Sequence, residues 1–124
     1  MTDTPPDWVF NLHDQAQGIA RTLADGITTR IFPGDQAMIS VVRIEPHSQG
    51  TPHSHPQEQW GVLLEAALVR IQGGEEVAVT AGDFWLTPGG VEHSVRTGDE
   101  GAVVLDVFAP PRDEYRKAGE GVGD

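Results

Sequence analysis

The chain has 124 residues, with 8 Lys+Arg against 19 Asp+Glu and a formal net charge of −11, and it contains no cysteine. This length is typical of one domain, here residues 1–124, and the absence of cysteine excludes a disulfide framework and a thiolate zinc site. The strong negative charge argues against nucleic acid or an anionic membrane surface as a partner.

The N-terminal stretch, MTDTPPDWVF, has neither the basic region nor the apolar region of a secretory signal peptide. No apolar run in the chain approaches the ~20 residues that a membrane-spanning helix requires. We therefore expect a cytoplasmic protein with no membrane partner. The next stretch, NLHDQAQG (11–18), is short and polar and is a weak candidate for a helical turn.

Short apolar or alternating runs, separated by Gly- and Pro-rich turns, predict β-strands along the rest of the chain. The runs are GITTRIF (26–32), AMISVVRIEP (37–46), WGVLLE (60–65), ALVRIQ (67–72), EVAVTAGDFWLTP (76–88), HSVRT (93–97) and GAVVLDVFAPP (101–111). Turn signals recur at roughly ten-residue spacing, as in all-β sandwiches and barrels. RDEYRKAG (112–119) is predicted to form one or two helical turns after the last strand.

Two histidines stand one residue apart in TPHSHPQEQW (51–60). On an extended chain, His53 and His55 project from the same face, as two ligands of one metal ion must. Gln59 and His93 can reach this face from neighbouring strands, and Gly61, next in the alternation, is expected to leave free volume there. A polar loop without a metal remains the alternative. The second block, GDFWLTPGGVEHSV, favours the metal site.

The two blocks resemble the two motifs of the cupin superfamily, G-x5-H-x-H-x3,4-E-x6-G and G-x5-P-x-G-x2-H-x3-N. The second motif is matched by Gly82, Pro88, Gly90 and His93, with Thr97 in place of its Asn; in the first, His53 and His55 match, Gln59 replaces Glu, and His47 and Ala66 replace the bounding glycines. The resemblance covers about residues 37–110. It implies an all-β double-stranded β-helix, the jelly-roll cupin barrel, with short terminal extensions and one divalent ion inside (Zn, Ni, Fe or Mn).

The departures from the first motif carry two further expectations. His47 is interpreted as a turn residue at the rim of the barrel. Ala66 replaces a glycine that often supplies a positive φ, so the turn after Glu65 is expected to take a different form here.

The fourth metal ligand is either Glu58 or Gln59. The motif places this ligand after three residues that follow His55, which selects Gln59, and a branch of cupins uses the string H-x-H-P-x-E-Q with Gln as the ligand. Three imidazoles and an amide leave the ion its full charge, which favours Lewis-acid chemistry. Ligation by Glu58 would favour oxygen activation at iron.

The strand LDVFAPPR places Val104, Asp106 and Phe108 on one face. Considered alone, Asp106 is expected to pair with an Arg or to point to solvent. The segment, however, resembles the C-terminal strand of the pectin-degradation cupins of KdgF type, which convert 4,5-unsaturated monouronates to a linear keto form. That resemblance implies Asp106 as general acid/base, Phe108 as a sugar-ring contact and Arg112 as both a catalytic and a carboxylate-binding residue.

Trp60 is a further candidate for contact with the substrate. Together these features predict a metal-dependent lyase or isomerase that acts on a small anionic, uronate-like sugar acid. An Fe(II)-dependent dioxygenase and a non-catalytic ligand-binding cupin are the alternatives. We also expect a homodimer that binds no nucleic acid.

Overall fold

The computed structural model describes residues 4–122, so residues 1–3 and 123–124 of the predicted domain lie outside the described range. The strands are β1 (Ile19–Ala24), β2 (Ile27–Pro33), β3 (Met38–Ile44), β4 (Glu58–Gln72), β5 (Glu75–Thr80), β6 (Phe84–Thr87), β7 (His93–Arg96), β8 (Ala102–Ala109) and β9 (Gly119–Glu120). A single 3₁₀ turn, Asp113–Arg116, accounts for the helical content of the described residues. None of these residues forms a helix long and apolar enough to cross a membrane.

The strands pair in the order β5-β4-β8-β3-β2-β1-β9, and β6 and β7 also pair with β4. All pairings are antiparallel except that of β1 with β9. The first half of β4 pairs with β6 and β8, whereas its second half pairs with β5 and β7. One long strand thus links two sets of paired strands, and the predicted all-β jelly roll is confirmed.

A bulge between Leu63 and Ala66 divides β4 into two halves. Ala66 has a φ of 68°, and the register against β8 shifts between Leu63 and Glu65. Burial consequently changes phase: Gln59 and Leu63 are buried before the bulge, and Leu68 and Arg70 after it. The expectation of a different turn form was wrong, because Ala66 itself adopts the left-handed conformation, and the two runs predicted here form one strand.

Three other boundaries differ from prediction. The run at 76–88 is divided into β5 and β6 by a turn in which Gly82 has a φ of 98°. Strand β1 was missed, since its sequence IARTLA has little β-branched character. Residues 11–18 form turns, not a helix, because the Asn11 and Asp14 side chains accept hydrogen bonds from the backbone two residues on.

The barrel interior contains two apolar clusters. The larger comprises Ile27, Val42, Ile44, Leu63, Leu68, Val79, Ala102 and Val104, and the smaller Ile31, Met38, Phe108 and Tyr115. Tyr115 comes from the 3₁₀ turn and packs edge-on against Phe108, with ring centroids 5.7 Å apart. The C-terminal segment is thereby anchored on the interior, and a cavity lined by residues of both clusters reaches the predicted metal ligands.

Candidate metal centre

The three motif histidines converge on one point. A ligand atom from each of His53, His55 and His93 lies within 4.8 Å of the others. The loop that carries His53 is fixed to the start of β7 by a reciprocal pair of backbone hydrogen bonds, from His53 N to His93 O (3.1 Å) and from His93 N to His53 O (2.9 Å). Because backbone pairing sets the spacing, the cluster is organised by the fold itself.

Each imidazole is oriented through its Nδ1 atom. Nδ1 of His53, His55 and His93 lies 3.0, 3.1 and 2.9 Å from a backbone carbonyl oxygen, those of Thr51, Gln57 and Val91 respectively. A carbonyl can only accept, so Nδ1 carries the proton and Nε2 presents its lone pair. This is the usual tautomer of metal-ligating histidines whose other nitrogen is held by the protein.

The environment keeps these imidazoles neutral, as metal binding requires. Burial lowers the pKa of His53 to about 4 and that of His93 to about 3. The pKa of His55 is also lowered, by burial and then by the positive charge of Arg112. The buried Nε2 of His93 has no hydrogen-bond partner in the described part of the chain. The residues therefore fit a divalent ion.

Gln59 lies beside the three histidines, and Glu58 does not. Gln59 is only 3% exposed, and its Oε1 atom is 3.0 Å from Nε2 of His55. With the proton on Nδ1, Oε1 of Gln59 and Nε2 of His55 are both acceptors and cannot hydrogen-bond to each other. A cation bound between them, or a rotated amide that presents its NH₂ group to His55, would remove this repulsion. Glu58 is exposed on the opposite face of β4. The geometry thus favours the interpretation in which Gln59, not Glu58, completes the donor set.

Gly61 does not leave free volume beside the site. A Cβ atom at this position would lie 2.5 Å from Nε1 of Trp85, so the indole occupies the space that was expected to be empty. Trp85 also packs against the larger apolar cluster and lines the cavity. The absence of a side chain at Gly61 therefore serves close packing.

Asp106 lines the same cavity from β8, where its register partners are Gly61 and Ser40. Its Oδ1 atom is enclosed and has no hydrogen-bond partner among residues 4–122, and no ion pair within 4.0 Å includes it there. Burial raises the pKa of Asp106 to about 6, against the opposing effects of Arg70, the Gln59 amide and Arg112. The pairing or solvent exposure considered for Asp106 from the sequence alone is not observed, and this carboxyl group faces the cavity.

Phe108 and Arg112 approach the histidines from the side of His55. The Phe108 ring is buried and meets the His55 ring edge-on, with centroids 5.5 Å apart. The Arg112 guanidinium is fully buried and lies 4.0 Å from the Tyr115 ring centroid. Its Nε donates to Glu114 (3.2 Å) and its Nη2 to the Val122 carbonyl, which leaves Nη1 without a partner among the described residues. Most of this side chain therefore holds the C-terminal segment.

Trp60 does not lie in the cavity. It is 44% exposed on the outer face of β4, next to Phe84, because side chains alternate along a strand and Gln59 points inward. Trp60 is therefore not placed to contact a ligand in the cavity, contrary to the prediction.

Sequence reasoning missed Arg70 and Tyr115, both of which line the cavity. Arg70 is only 6% exposed, and its positive charge contributes to the lowered pKa of His93. The alternation read from Gln59 would place residue 70 outside the barrel, and only the bulge between Leu63 and Ala66 turns it inward. The glycine position of the first motif was the signal that could have located this bulge.

Comparison with known proteins agrees with this fold. Residues 40–108 match the model of the Cupin_2 family, described as a cupin domain. The pectin degradation protein KdgF of Dickeya dadantii (strain 3937) is 28% identical over 95 residues, which cover 75% of this chain and 86% of that protein. Oxalate decarboxylase OxdC of Bacillus subtilis (strain 168) is 30% identical over 88 residues, 66% of this chain but only 23% of that protein.

Among solved structures, KdgF from Halomonas sp. superposes with a TM-score of 0.72 at 24% identity, covering 81% of this chain and 93% of that one. At this identity the superposition supports the fold. The family match spans more than half of the chain and includes the residues that converge in the barrel. The chain belongs to the cupin family.

Proposed function

We propose that this cupin is a metal-dependent isomerase or lyase that opens and tautomerises a small unsaturated uronate. The observation that carries the proposal is the combination of neutral donors, His53, His55, His93 and Gln59, with the buried carboxyl group of Asp106, whose Oδ1 has no hydrogen-bond partner among the described residues. The similarity to a pectin degradation protein over 75% of the chain supports this substrate class.

His53, His55, His93 and Gln59 would hold the ion. When bound, a divalent ion in such a neutral donor set would supply Lewis-acid polarisation of a substrate oxygen. A neutral set leaves the ion its full charge, and the chain adds the buried cations Arg70 and Arg112 to the same region. An anionic ligand is therefore favoured inside a protein whose net charge is −11.

Asp106 provides the proton transfer that the reaction requires. Its Oδ1 removes the proton from the anomeric hydroxyl, the ring C–O bond breaks as the aldehyde forms, and the electron pair passes to the enolate oxygen. The same carboxyl group then returns the proton to the neighbouring ring carbon, which gives the ketone. No atom is gained or lost. Phe108 borders the position that the ring would occupy.

The alternatives from the sequence gain less support. An oxygenase would be favoured by an anionic ligand, and the candidate Glu58 is exposed on the outer face of β4. A purely binding role would not explain why the Asp106 carboxyl group is enclosed in the cavity with its Oδ1 unpaired among the described residues. A small anionic substrate and a homodimer remain predictions.

The test uses protein stripped with EDTA and reloaded with Zn, Ni, Mn or Fe(II). Unsaturated galacturonate is added, and loss of the enol-ether absorbance is followed together with the appearance of the keto product by NMR. We expect acceleration over buffer that depends on metal and is lost in Asp106→Asn. Equal rates with metal-loaded and stripped protein for all of these ions would reject the proposal.

A further inference from the structure

We propose that Arg70 is the group that binds the carboxylate of the ligand within the barrel, a role that deepens the proposed function and rests on it. The side chain lies on β4 beyond the bulge and lines the cavity shared with Asp106 and His93. It is 6% exposed. Neither the motifs nor the comparisons assign a role to this residue.

The guanidinium is held in a fixed position by neutral groups. Its Nη2 donates to Thr87 Oγ1 (2.8 Å) and its Nε to Gln72 Oε1 (3.3 Å). Thr87 in turn donates to Gln72 Oε1 (2.6 Å), and the Gln72 amide donates to the Leu86 carbonyl (2.8 Å). Thr87 is fully buried. This network orients the planar guanidinium before any ligand arrives, which reduces the entropy lost on binding.

The positive charge of Arg70 has no carboxylate in contact. No carboxylate oxygen lies within 4.0 Å of it among residues 4–122, where the ion pairs found involve other cations, and Asp106 acts on it only at longer range. Nη1 makes no hydrogen bond with those residues. An arginine so deeply buried is costly unless it is paired. A carboxylate in the cavity would provide the missing contact, with Nη1 as the free donor of a charge-assisted hydrogen bond.

Arg112 is less suited to the same task. Its Nη2 forms an ion pair with Glu114 (3.1 Å), so its charge already has a partner, and it is not among the residues that line the cavity. Its hydrogen bonds to Glu114 and to the Val122 carbonyl hold the C-terminal segment. Arg112 is therefore assigned a positioning role, in which it holds that segment and its Tyr115 against Phe108.

The size of the cavity fits one small acid. Its volume of about 70 Å³ corresponds to roughly five to seven water-sized units. Because each water takes up about 30 Å³ of the liquid, these units together match the volume of one monosaccharide. The substrate class that follows is a monomeric sugar acid, small enough to place its carboxylate at Arg70 within this cavity.

The experiment compares two probes that differ at one group. Zinc-loaded protein is titrated by calorimetry with D-galacturonate and with D-galactose, in which CH₂OH replaces the carboxylate. The preference for galacturonate, which is the ratio of the association constants of galacturonate and galactose, is measured in four proteins. These are wild type, Arg70→Gln, Arg112→Gln and, as a matched control outside the cavity, Arg96→Gln. Arg96 is a suitable control because it is paired with Glu76 at the surface. We expect Arg70→Gln to lower the preference about 10- to 100-fold, as for a lost charge-assisted bond, with galactose binding unchanged.

A second variant covers the case in which Arg70→Gln does not fold. Thr87→Val keeps the charge but removes the acceptor of Nη2, and we expect it to lower the preference several-fold. The assignment is overturned if wild type shows no preference, if the preference survives in Arg70→Gln, or if it is lost only in Arg112→Gln. A preference that depends on Arg70, found without turnover of unsaturated galacturonate, would reject the proposed reaction and leave this assignment standing.

Discussion

Replacement of Gln59 by glutamate tests the donor set directly. In metal-free protein, Gln59→Glu would place a second carboxyl group in the cavity of Asp106, at a position that is 3% exposed. The new group either stays charged without an adjacent cation or takes up a proton. Keeping a carboxyl with an ordinary pKa of about 4.3 neutral at pH 7 costs about 3.7 kcal/mol. The nearby charges of Arg70 and Arg112 reduce this cost, so we expect a loss of about 2–4 kcal/mol.

Addition of metal should reverse the effect. With an ion bound, the carboxylate becomes a ligand and its charge is neutralised, so metal should stabilise Gln59→Glu by about 2–4 kcal/mol more than it stabilises wild type. For a domain of this size, this corresponds to roughly 8–15 °C in Tm. The assay is thermal and urea unfolding with EDTA and with saturating zinc.

Gln49→Glu provides the matched control, since Gln49 is exposed on the loop that precedes the histidines. We expect its stability to match that of wild type in both conditions. If Gln59→Glu behaves like this control, without a loss in EDTA or an added gain in zinc, then Gln59 does not face the ion and the argument for a neutral donor set fails.

Three further outcomes are expected. Asp106→Asn should lower kcat about 10²- to 10⁴-fold with little change in bound zinc, measured by kinetics and elemental analysis; equal losses of zinc and activity would instead indicate a structural role. The pKa values of His53 (about 4) and His93 (about 3) are lowered in the folded metal-free protein, which therefore binds protons less readily than the unfolded chain. The free energy of unfolding, measured by urea titration, should be highest above pH 6.5, near the pKa of an unfolded histidine, and should fall as the pH drops towards 3. A free energy of unfolding that does not change with pH would contradict the burial of these imidazoles. Ala66→Gly should raise the free energy of unfolding by about 0.5–1 kcal/mol, because glycine adopts a φ of 68° without strain. Part of the gain is offset because glycine makes the unfolded chain more flexible. A lower free energy of unfolding would show that Ala66 is not strained.

The convergence of the candidate metal ligands could be predicted because their signal is local. His53 and His55 stand on one face of an extended segment, and His93 closes a motif of fixed spacing, so neither inference needed the three-dimensional path of the chain. The choice of Gln59 over Glu58 followed from the spacing of the motif, alternation placed Glu58 on the opposite face, and the burial of the two side chains agrees with it. Periodicity is informative as long as the strand is regular.

The same rule failed beyond the point where the strand becomes irregular. Trp60 was assigned to the substrate although alternation from Gln59 already placed it outside, where the structure has it. Arg70 was missed for the opposite reason: alternation places it outside, and the register shift between Leu63 and Glu65, next to the left-handed Ala66, turns it inward. Gly61 was taken for empty space because a sequence does not show which neighbour fills a vacant Cβ position, here the indole of Trp85.

The bulge between Leu63 and Ala66 therefore connects a local backbone feature to the composition of the cavity. Without the extra residue, Leu68 and Arg70 would face solvent, so the larger apolar cluster would lose Leu68 and the cavity would lose Arg70. With it, one strand contributes Gln59 from its first half and the cation Arg70 from its second half to one cavity. Asp106, on the neighbouring strand, lies close enough for both groups to oppose the rise in its pKa. A chain of net charge −11 thus places a buried positive charge where we propose that an acid binds, and the left-handed residue at position 66 is the conformational cost of that arrangement.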